Sequence, residues 1–144
     1  MTPVIRLAAR PDLPILLEIE RQSFSHEHWT AESFLAYDCI VAEVENTVAG
    51  FLVSRQTFAS GQGVPAEREI LNLAVAPAYR RMGIATVLLN HELARGGLYF
   101  LEVRESNRAA LALYGKIGFV PAGRRPEYYR APREAAIVMK MKWC

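Results

Sequence analysis

A single glutamate interrupts the apolar run from Leu98 to Val103. A run of this length and composition is typical of a central strand that is covered on both faces. A carboxylate in such a strand is costly unless it is paired, protonated or functional, and burial raises its pKa toward neutrality. Glu102 is therefore a candidate general base. The alternative is a carboxylate at the strand end that pairs with Arg104 or Arg108.

A tyrosine lies on the helix that the sequence predicts after this strand. Tyr114 shares one helix face with Ala110, Leu111 and Ile117, so it could be an ordinary core residue. A tyrosine that follows a buried carboxylate could instead take part in proton transfer with it. The two residues together would then form a proton-transfer pair.

The loop Arg80–Ala85 joins a predicted strand to a predicted helix. Amides in the first turn of a helix have no partner within the helix, and the helix dipole adds partial positive charge, so this junction favours an anion. The loop lacks the G-x-G-x-x-G spacing of dinucleotide-binding folds and the G-K-[ST] ending of P-loops. It keeps R-x-x-G-x-A, in which Gly83 lets a ligand approach the backbone while Arg80 and Arg81 supply charge suited to phosphate.

Apolar periodicity around these residues predicts one α/β domain over residues 1–144. Thr30 is a candidate N-cap, and Gly96–Gly97 and Gly118 are expected to end helices. The predicted strands cover Val4–Ala9, Cys39–Val44, Val48–Phe58, Glu67–Val75 and Leu98–Val103, with two more around an Arg124–Pro132 loop, and the predicted helices cover Pro11–Gln22, Thr30–Tyr37, Arg81–Ala94 and Asn107–Ile117.

Composition argues against several classes of function. The 144 residues carry a net charge of +2, which is too small to indicate nucleic-acid binding by itself. Cys39 and Cys144 form no C-x-x-C pair, so neither a zinc site nor a structural disulfide is expected. His26, His28 and His91 share no metal-ligand spacing, and we expect no metal. No apolar run has membrane-spanning length and no signal sequence opens the chain, which favours a cytoplasmic protein.

The R-x-x-G-x-A loop resembles the acetyl-coenzyme A loop, [QR]-x-x-G-x-[GA], of the GNAT N-acetyltransferases. This resemblance implies the GNAT fold, a single mixed and largely antiparallel sheet of about seven strands flanked by about four helices. It also implies acetyl-coenzyme A as co-substrate, with its pyrophosphate on the loop and its pantetheine arm along the preceding strand. The cofactor-binding positions implied are Leu73, Ala74 and Val75 on the strand, and Arg81, Met82, Gly83, Ile84, Ala85 and Thr86 on the loop and helix.

The segment Leu101–Phe119 narrows the resemblance to the RimI-type enzymes of that family, which acetylate the N-terminal amine of a ribosomal protein. Their pattern L-E-V-R-x-S-N-x-x-A-x-x-L-Y-x-x-x-G-F is matched at every fixed position. By this resemblance Glu102 deprotonates the incoming ammonium, and Tyr114 protonates the departing coenzyme A thiolate. Asn107 would cap its helix and also contact the cofactor.

The same resemblance implies residues of an acceptor groove. Tyr128 and Tyr129 match an R-R-x-x-Y-Y stretch, and Phe24 and Trp29 are similar to an aromatic-tryptophan loop near the start of such chains. Glu69, on the strand before the loop, is a rival base and could also bind the substrate amine.

One departure from the family pattern concerns the acceptor. Relatives usually carry an acidic residue directly after the glutamate of the closing strand, whereas here Ala135 follows Glu134. The expected activity is direct, ternary-complex acetyl transfer to a primary amine, above all the α-amine of a peptide or protein such as a ribosomal protein. The alternatives are a GNAT enzyme for a small-molecule amine and a coenzyme A-binding sensor without turnover. We expect no nucleic-acid or membrane partner, and a monomer or weak homodimer.

Overall fold

The computed structural model describes residues 2–24, 28–130 and 132–143. Its strands are β1 (Val4–Leu7), β2 (Asp38–Val44), β3 (Thr47–Phe58), β4 (Glu67–Val75), β5 (Gly97–Arg104), β6 (Val120–Arg130) and β7 (Arg133–Trp143). Its helices are α1 (Leu13–Ser23), α2 (Ala31–Ala36), α3 (Ile84–Leu93) and α4 (Arg108–Ile117), with short 3-10 helices at Arg10–Asp12 and Pro77–Tyr79.

Within these residues the strands form one seven-stranded sheet in the order β1-β2-β3-β4-β5-β7-β6. β4 and β5 pair in parallel, while β1–β2, β2–β3, β5–β7 and β6–β7 pair antiparallel. This mixed sheet with four α-helices confirms the predicted architecture. In the described part of the chain, no helix has the length and apolarity needed to cross a bilayer.

One compact unit contains the chain up to Arg55 together with Leu71–Glu92. Its core is a cluster of buried side chains from α1, α2, β2, β3 and the end of β4, with Leu16 and Phe51 fully buried. The predicted cap of α2 is confirmed, because the Thr30 hydroxyl accepts the amide of the third helical residue at 3.3 Å. This unit contains both the end of β4 and the start of α3, and it therefore fixes the two ends of the loop between them.

A second compact unit contains Gln56–Ile70 and the chain from Leu93 onward. β5 has the first four residues of β4 on one side and β7 on the other. Its side chains alternate, so that Leu101 is buried while Glu102 is only half-buried on the other face. A central position in the sheet thus fixes the direction in which Glu102 points.

The helix predicted from Arg81 begins later, at Ile84. Arg81 and Gly83 have φ of 64° and 78°, and this left-handed conformation cannot be part of a right-handed helix. The loop therefore ends at Gly83, and Ile84 and Ala85, which the sequence pattern placed in the loop, belong to the helix.

The predicted Arg124–Pro132 loop was also wrong, because β6 continues as a strand to Arg130. Pro126 lies within β6, which is an edge strand whose register against β7 shifts between Arg125 and Tyr129. Proline is tolerated at such a position because no amide is required there.

Candidate active site

The predicted phosphate loop lies between the 3-10 turn after β4 and the start of α3. Gly83 has positive φ, and no described atom lies within 4 Å of a Cβ built on it. The space around Gly83 is therefore open, and its backbone conformation alone selects glycine. Arg81 and Met82 are exposed beside it, whereas Ile84 is 2% exposed and anchors the helix start in the interior.

The start of α3 presents backbone amides that could hold an anion. The first hydrogen bond of the helix runs from the Val87 amide to the Gly83 carbonyl at 3.1 Å. The amides of Ile84, Ala85 and Thr86 precede this bond, so they have no acceptor within the helix. With the positive end of the helix dipole beside them, these donors fit the pyrophosphate of a coenzyme A thioester.

The strand residues predicted to bind the pantetheine arm present different groups. Ala74 is 6% exposed and belongs to the core cluster, whereas Leu73 and Val75 are half-buried on the other face of β4. The Val75 carbonyl accepts a hydrogen bond from Arg80 Nε at 3.1 Å. Arg80 therefore ties the loop to the strand end, and Arg81 is the arginine left to meet a phosphate. Close packing requires glycine at Gly50 on the neighbouring strand β3, because a Cβ there would lie 2.8 Å from the Ala74 carbonyl oxygen.

Glu102 lies in the second unit, on the face of the sheet that also carries Glu69. Its Oε2 atom is buried and has no hydrogen-bond partner among the described residues. The Arg125 Nε atom lies 3.4 Å from that oxygen. Burial raises the pKa of Glu102 above its usual range, Arg125 opposes that rise, and Glu69 adds to it. The direction is the one that a general base for an ammonium requires.

The cation beside Glu102 is not one of the two arginines considered from the sequence. Arg104 instead donates to the Pro132 carbonyl at 2.9 Å and pairs with Glu134 at 3.3 Å. Arg125 was overlooked because it lies on a distant strand, in a basic segment that has the composition of a solvated surface.

Tyr114 is 9% exposed on α4, and its ring packs edge-on against Phe119 with 5.7 Å between centroids. Asn107 caps this helix as predicted, since its Oδ1 accepts the Ala110 amide at 3.1 Å. Burial raises the pKa of the Tyr114 phenol, with a smaller contribution from Tyr129. The side chain thus packs as a core residue and also stays protonated, so the structural and the acid roles are compatible.

Tyr129 links the groups of this unit electrostatically. Burial first, and then Glu102, raise its pKa to about 12. The Arg104 guanidinium stacks over its ring at 4.2 Å, and Tyr128, which is 48% exposed, packs edge-on against it at 5.1 Å. The second unit therefore brings together Glu69, Glu102, Tyr114, Tyr128 and Tyr129, five of the residues singled out from the sequence.

Glu134 positions the turn from β5 to α4, a role that the sequence did not reveal. Its carboxylate accepts the Ser106 amide at 2.6 Å and Arg104 Nη1 at 3.3 Å. The Ser106 and Arg104 hydrogen bonds hold the pKa of Glu134 below its usual value. The only signal in the sequence was a glutamate in the closing strand of a pattern that also contains L-E-V-R-x-S.

Phe24 and Trp29 lie in the first unit, where both pack against its core cluster. The Trp29 ring is 5.2 Å from Phe34 and 6.0 Å from Tyr37. These contacts hold Trp29 against the first unit, and the acceptor role of both residues stays a prediction.

The histidines contribute no metal centre to the described residues, which contain no cluster of three His, Cys, Asp or Glu side chains suited to a metal. His28 lies 2.9 Å from the buried Glu20 carboxylate. His26 falls outside the described residues.

Comparison with known proteins decides the family. Residues 6–119 match the sequence model of the acetyltransferase (GNAT) family. The chain belongs to the GNAT family. The predicted family and fold are confirmed, as is the predicted class of enzyme at the level of the family.

Relatives of this GNAT chain point to the RimI group. A [ribosomal protein bS18]-alanine N-acetyltransferase of Salmonella typhimurium is 32% identical over 149 residues, which cover 95% of each chain. The N-alpha-acetyltransferase RimI of Mycobacterium tuberculosis is 44% identical over 82 residues, 56% of this chain and 52% of the relative.

A solved structure agrees with these sequences. The ribosomal-protein-S18-alanine N-acetyltransferase of Escherichia coli superposes with a TM-score of 0.82 at 30% identity, covering 98% of this chain and 94% of the other. Other matches are partial, because the chain covers only 40%, 52% and 62% of the length of three curated relatives.

Proposed function

We propose that this chain transfers the acetyl group of acetyl-coenzyme A to the N-terminal α-amine of a peptide or protein. The environment of Glu102 carries the proposal, because its carboxylate has a raised pKa and a buried oxygen without a hydrogen bond among the described residues. Such a group is suited to take a proton from an ammonium near neutral pH. Relatives named for the alanine of bS18 and for α-amines support an acceptor of this class.

The acetyl donor is assigned to the loop and helix start at residues 81–86. Open space at Gly83, exposed Arg81 and the amides at the start of α3 together suit a pyrophosphate. The pantetheine arm is assigned to the half-buried face of β4 that carries Leu73 and Val75. When bound, the thioester supplies an activated acetyl group.

The chain's own residues then handle protons and orientation. Glu102 accepts a proton from the acceptor ammonium, directly or through water, and leaves a nucleophilic amine. A backbone amide near Val75 polarises the carbonyl that the amine attacks. Tyr114, kept protonated by its raised pKa, gives its proton to the departing sulfur and regains one from the proton that the attacking nitrogen loses as the amide forms. Neither cysteine lies in the loop or strand assigned to the donor, so no acetyl-cysteine step is included.

Incubating the full chain with acetyl-coenzyme A and alanine-first peptides tests this function. Thiol release reports turnover, and mass spectrometry of the peptide locates the acetyl group. A matched peptide with a blocked α-amine and a free lysine serves as control. We expect acetylation of the free α-amine alone. Acetylation of the lysine, or of small amines in preference to peptides, would assign the chain to another acceptor class, and binding of coenzyme A without thiol release would identify a sensor.

The remaining expectations are parts of the same proposal. A ribosomal protein as acceptor, a cytoplasmic location, a monomer or weak homodimer, and a single domain over residues 1–144 all stay predictions.

A further inference from the structure

The candidate base, Glu102, has a carboxylate oxygen that lacks a hydrogen-bond donor among the described residues. Glu102 Oε2 is buried and accepts no hydrogen bond from the described residues, although its side chain is still 16% exposed. A buried carboxylate oxygen without a donor carries the desolvation cost of that group. Arg125 lies near enough for an ion pair at 3.4 Å, but it does not form a hydrogen bond.

Arg125 is weakly held in this position. Its side chain is 60% exposed, and it extends from the edge strand β6 directly before the register shift that ends at Tyr129. Glu127, within that shift, has φ of 54°. Its guanidinium lies 5.7 Å from the centroid of the Tyr128 ring, near the outer limit for a cation–π interaction.

Arg124, the residue before Arg125 on β6, is held firmly by a carboxylate. Arg124 donates from Nε and Nη2 to both carboxylate oxygens of Glu105, at 2.7 and 3.1 Å. Two-point pairing of this kind is the geometry that arginine adopts when it is fixed to a carboxylate. Arg125 makes no such pair with Glu102, so its contact is looser than one that the same strand achieves one residue earlier.

We propose that Arg125 occupies the place of the acceptor's ammonium beside Glu102, and that the acceptor binds as a cation by displacing it. This inference rests on the proposed function, since it specifies how the acceptor of that function reaches its base. Arg125 is then a specificity residue that an incoming amine must outcompete.

The charges around Glu102 favour replacement of Arg125 by another cation. Glu102 faces Arg125 and Tyr129 from β6 and Glu69 from β4, while its partner in register on β7 is the apolar Val138. Removing Arg125 without a replacement would leave the half-buried carboxylate of Glu102 without its neighbouring guanidinium, which a partly buried site tolerates poorly. An ammonium restores the balance and adds N–H donors for the unmet oxygen, whereas a neutral amine adds donors without charge.

Direct binding of an alanine-first peptide amide, without any acetyl donor, tests the inference. The side-chain carboxyl carbon of Glu102 is followed by NMR in the full chain, at a pH above the measured pKa of Glu102 in each protein. We expect Arg125→Gln to bind the peptide severalfold more tightly than the parent chain does. Arg124→Gln, the matched control on the same strand, should bind as the parent does. Equal or weaker binding by Arg125→Gln overturns the inference.

A second readout separates displacement from a general effect on folding. The pKa of Glu102 should be higher in Arg125→Gln than in the parent chain, because a nearby cation has been removed, and unchanged in Arg124→Gln. Arg125→Lys, which keeps the charge, should retain the parent's pKa and affinity. An unchanged pKa in Arg125→Gln shows that the guanidinium does not sit on Glu102 in solution and refutes the proposal.

Failure of this inference and failure of the proposed function give different results. The binding and pKa measurements need no turnover, so they decide the role of Arg125 even in a chain that releases no thiol. If Arg125→Gln weakens binding most for peptides with an acidic second residue, Arg125 recognises the acceptor's carboxylate and does not stand in for its ammonium. That outcome leaves acetyl transfer itself intact.

Discussion

The loop at residues 81–86 and the cluster around Glu102 are built from different parts of the polypeptide. The loop presents backbone: positive φ at Arg81 and Gly83, and amides at the start of α3. The cluster presents side chains that three strands and one helix bring together, and burial raises the pKa of Glu102, Tyr114 and Tyr129 among them. Substitutions in the loop should therefore act through conformation, and substitutions in the cluster through chemistry.

The largest effect is expected for Glu102→Gln. Loss of the base should lower kcat/KM by about 10²-fold near neutral pH. In the parent chain the ionised base forms as pH rises through the raised pKa of Glu102, so activity should climb there. The variant should lack this limb, and its deficit should shrink as pH passes the α-amine pKa of about 8, where the acceptor loses its own proton.

Rates measured across pH with a saturating donor check this prediction. A loss of the same size at every pH would assign Glu102 a structural role. Glu69→Gln is the matched comparison on the same face of the sheet, and a larger loss there would make Glu69 the base.

Tyr114→Phe should have the next largest effect. Removing the phenol deletes the proton donor while keeping the ring that packs against Phe119. We expect kcat to fall severalfold or more and coenzyme A affinity to stay nearly constant, as measured by steady-state kinetics and calorimetry. Unchanged turnover with a good acceptor would remove Tyr114 from the mechanism.

Gly83→Ala probes the backbone half of the comparison. An alanine meets no steric obstacle at Gly83, but its positive φ costs about 1 kcal/mol. If the loop conformation holds the donor, KM for acetyl-coenzyme A should rise about fivefold while KM for the acceptor stays constant. Gly61→Ala is the control, because Gly61 has equally open surroundings without positive φ. A rise in both KM values would mean that the loop also shapes the acceptor site.

What the sequence could predict follows the same division. Strand β4, the caps Thr30 and Asn107, and the loop motif depend on residues close together in the chain, and the structure has them where the pattern indicated. Arg125 could not be assigned to Glu102, because that pairing depends on two strands separated by a helix and on a register shift in β6.

The two misplaced boundaries have the same origin. The positive φ at Arg81 could not be predicted from local residue preferences, because arginine rarely adopts that conformation. Pro126 reads as a strand breaker until the topology puts β6 at the edge of the sheet. Local chemistry therefore identifies the residues, and tertiary pairing decides which of them interact.

Glu134→Gln should give the smallest effect, and it tests whether the cluster depends on its supporting contacts. The glutamine keeps one oxygen for either the Ser106 amide or Arg104, whereas the carboxylate serves both. Arg104 also stacks on Tyr129, so a loosened Arg104 should displace that ring and lower kcat less than Tyr114→Phe does. KM for acetyl-coenzyme A should not change. Because the pKa of Glu134 is already depressed, its carboxylate is ionised throughout the neutral range and the pH profile should keep its shape. Glu127→Gln, which disturbs only an exposed 3.7 Å pair with Arg133, is the control.

A loss as large as that of Tyr114→Phe would show that Glu134 acts on the reacting groups themselves, and that the side-chain half of the site is larger than the cluster around Glu102.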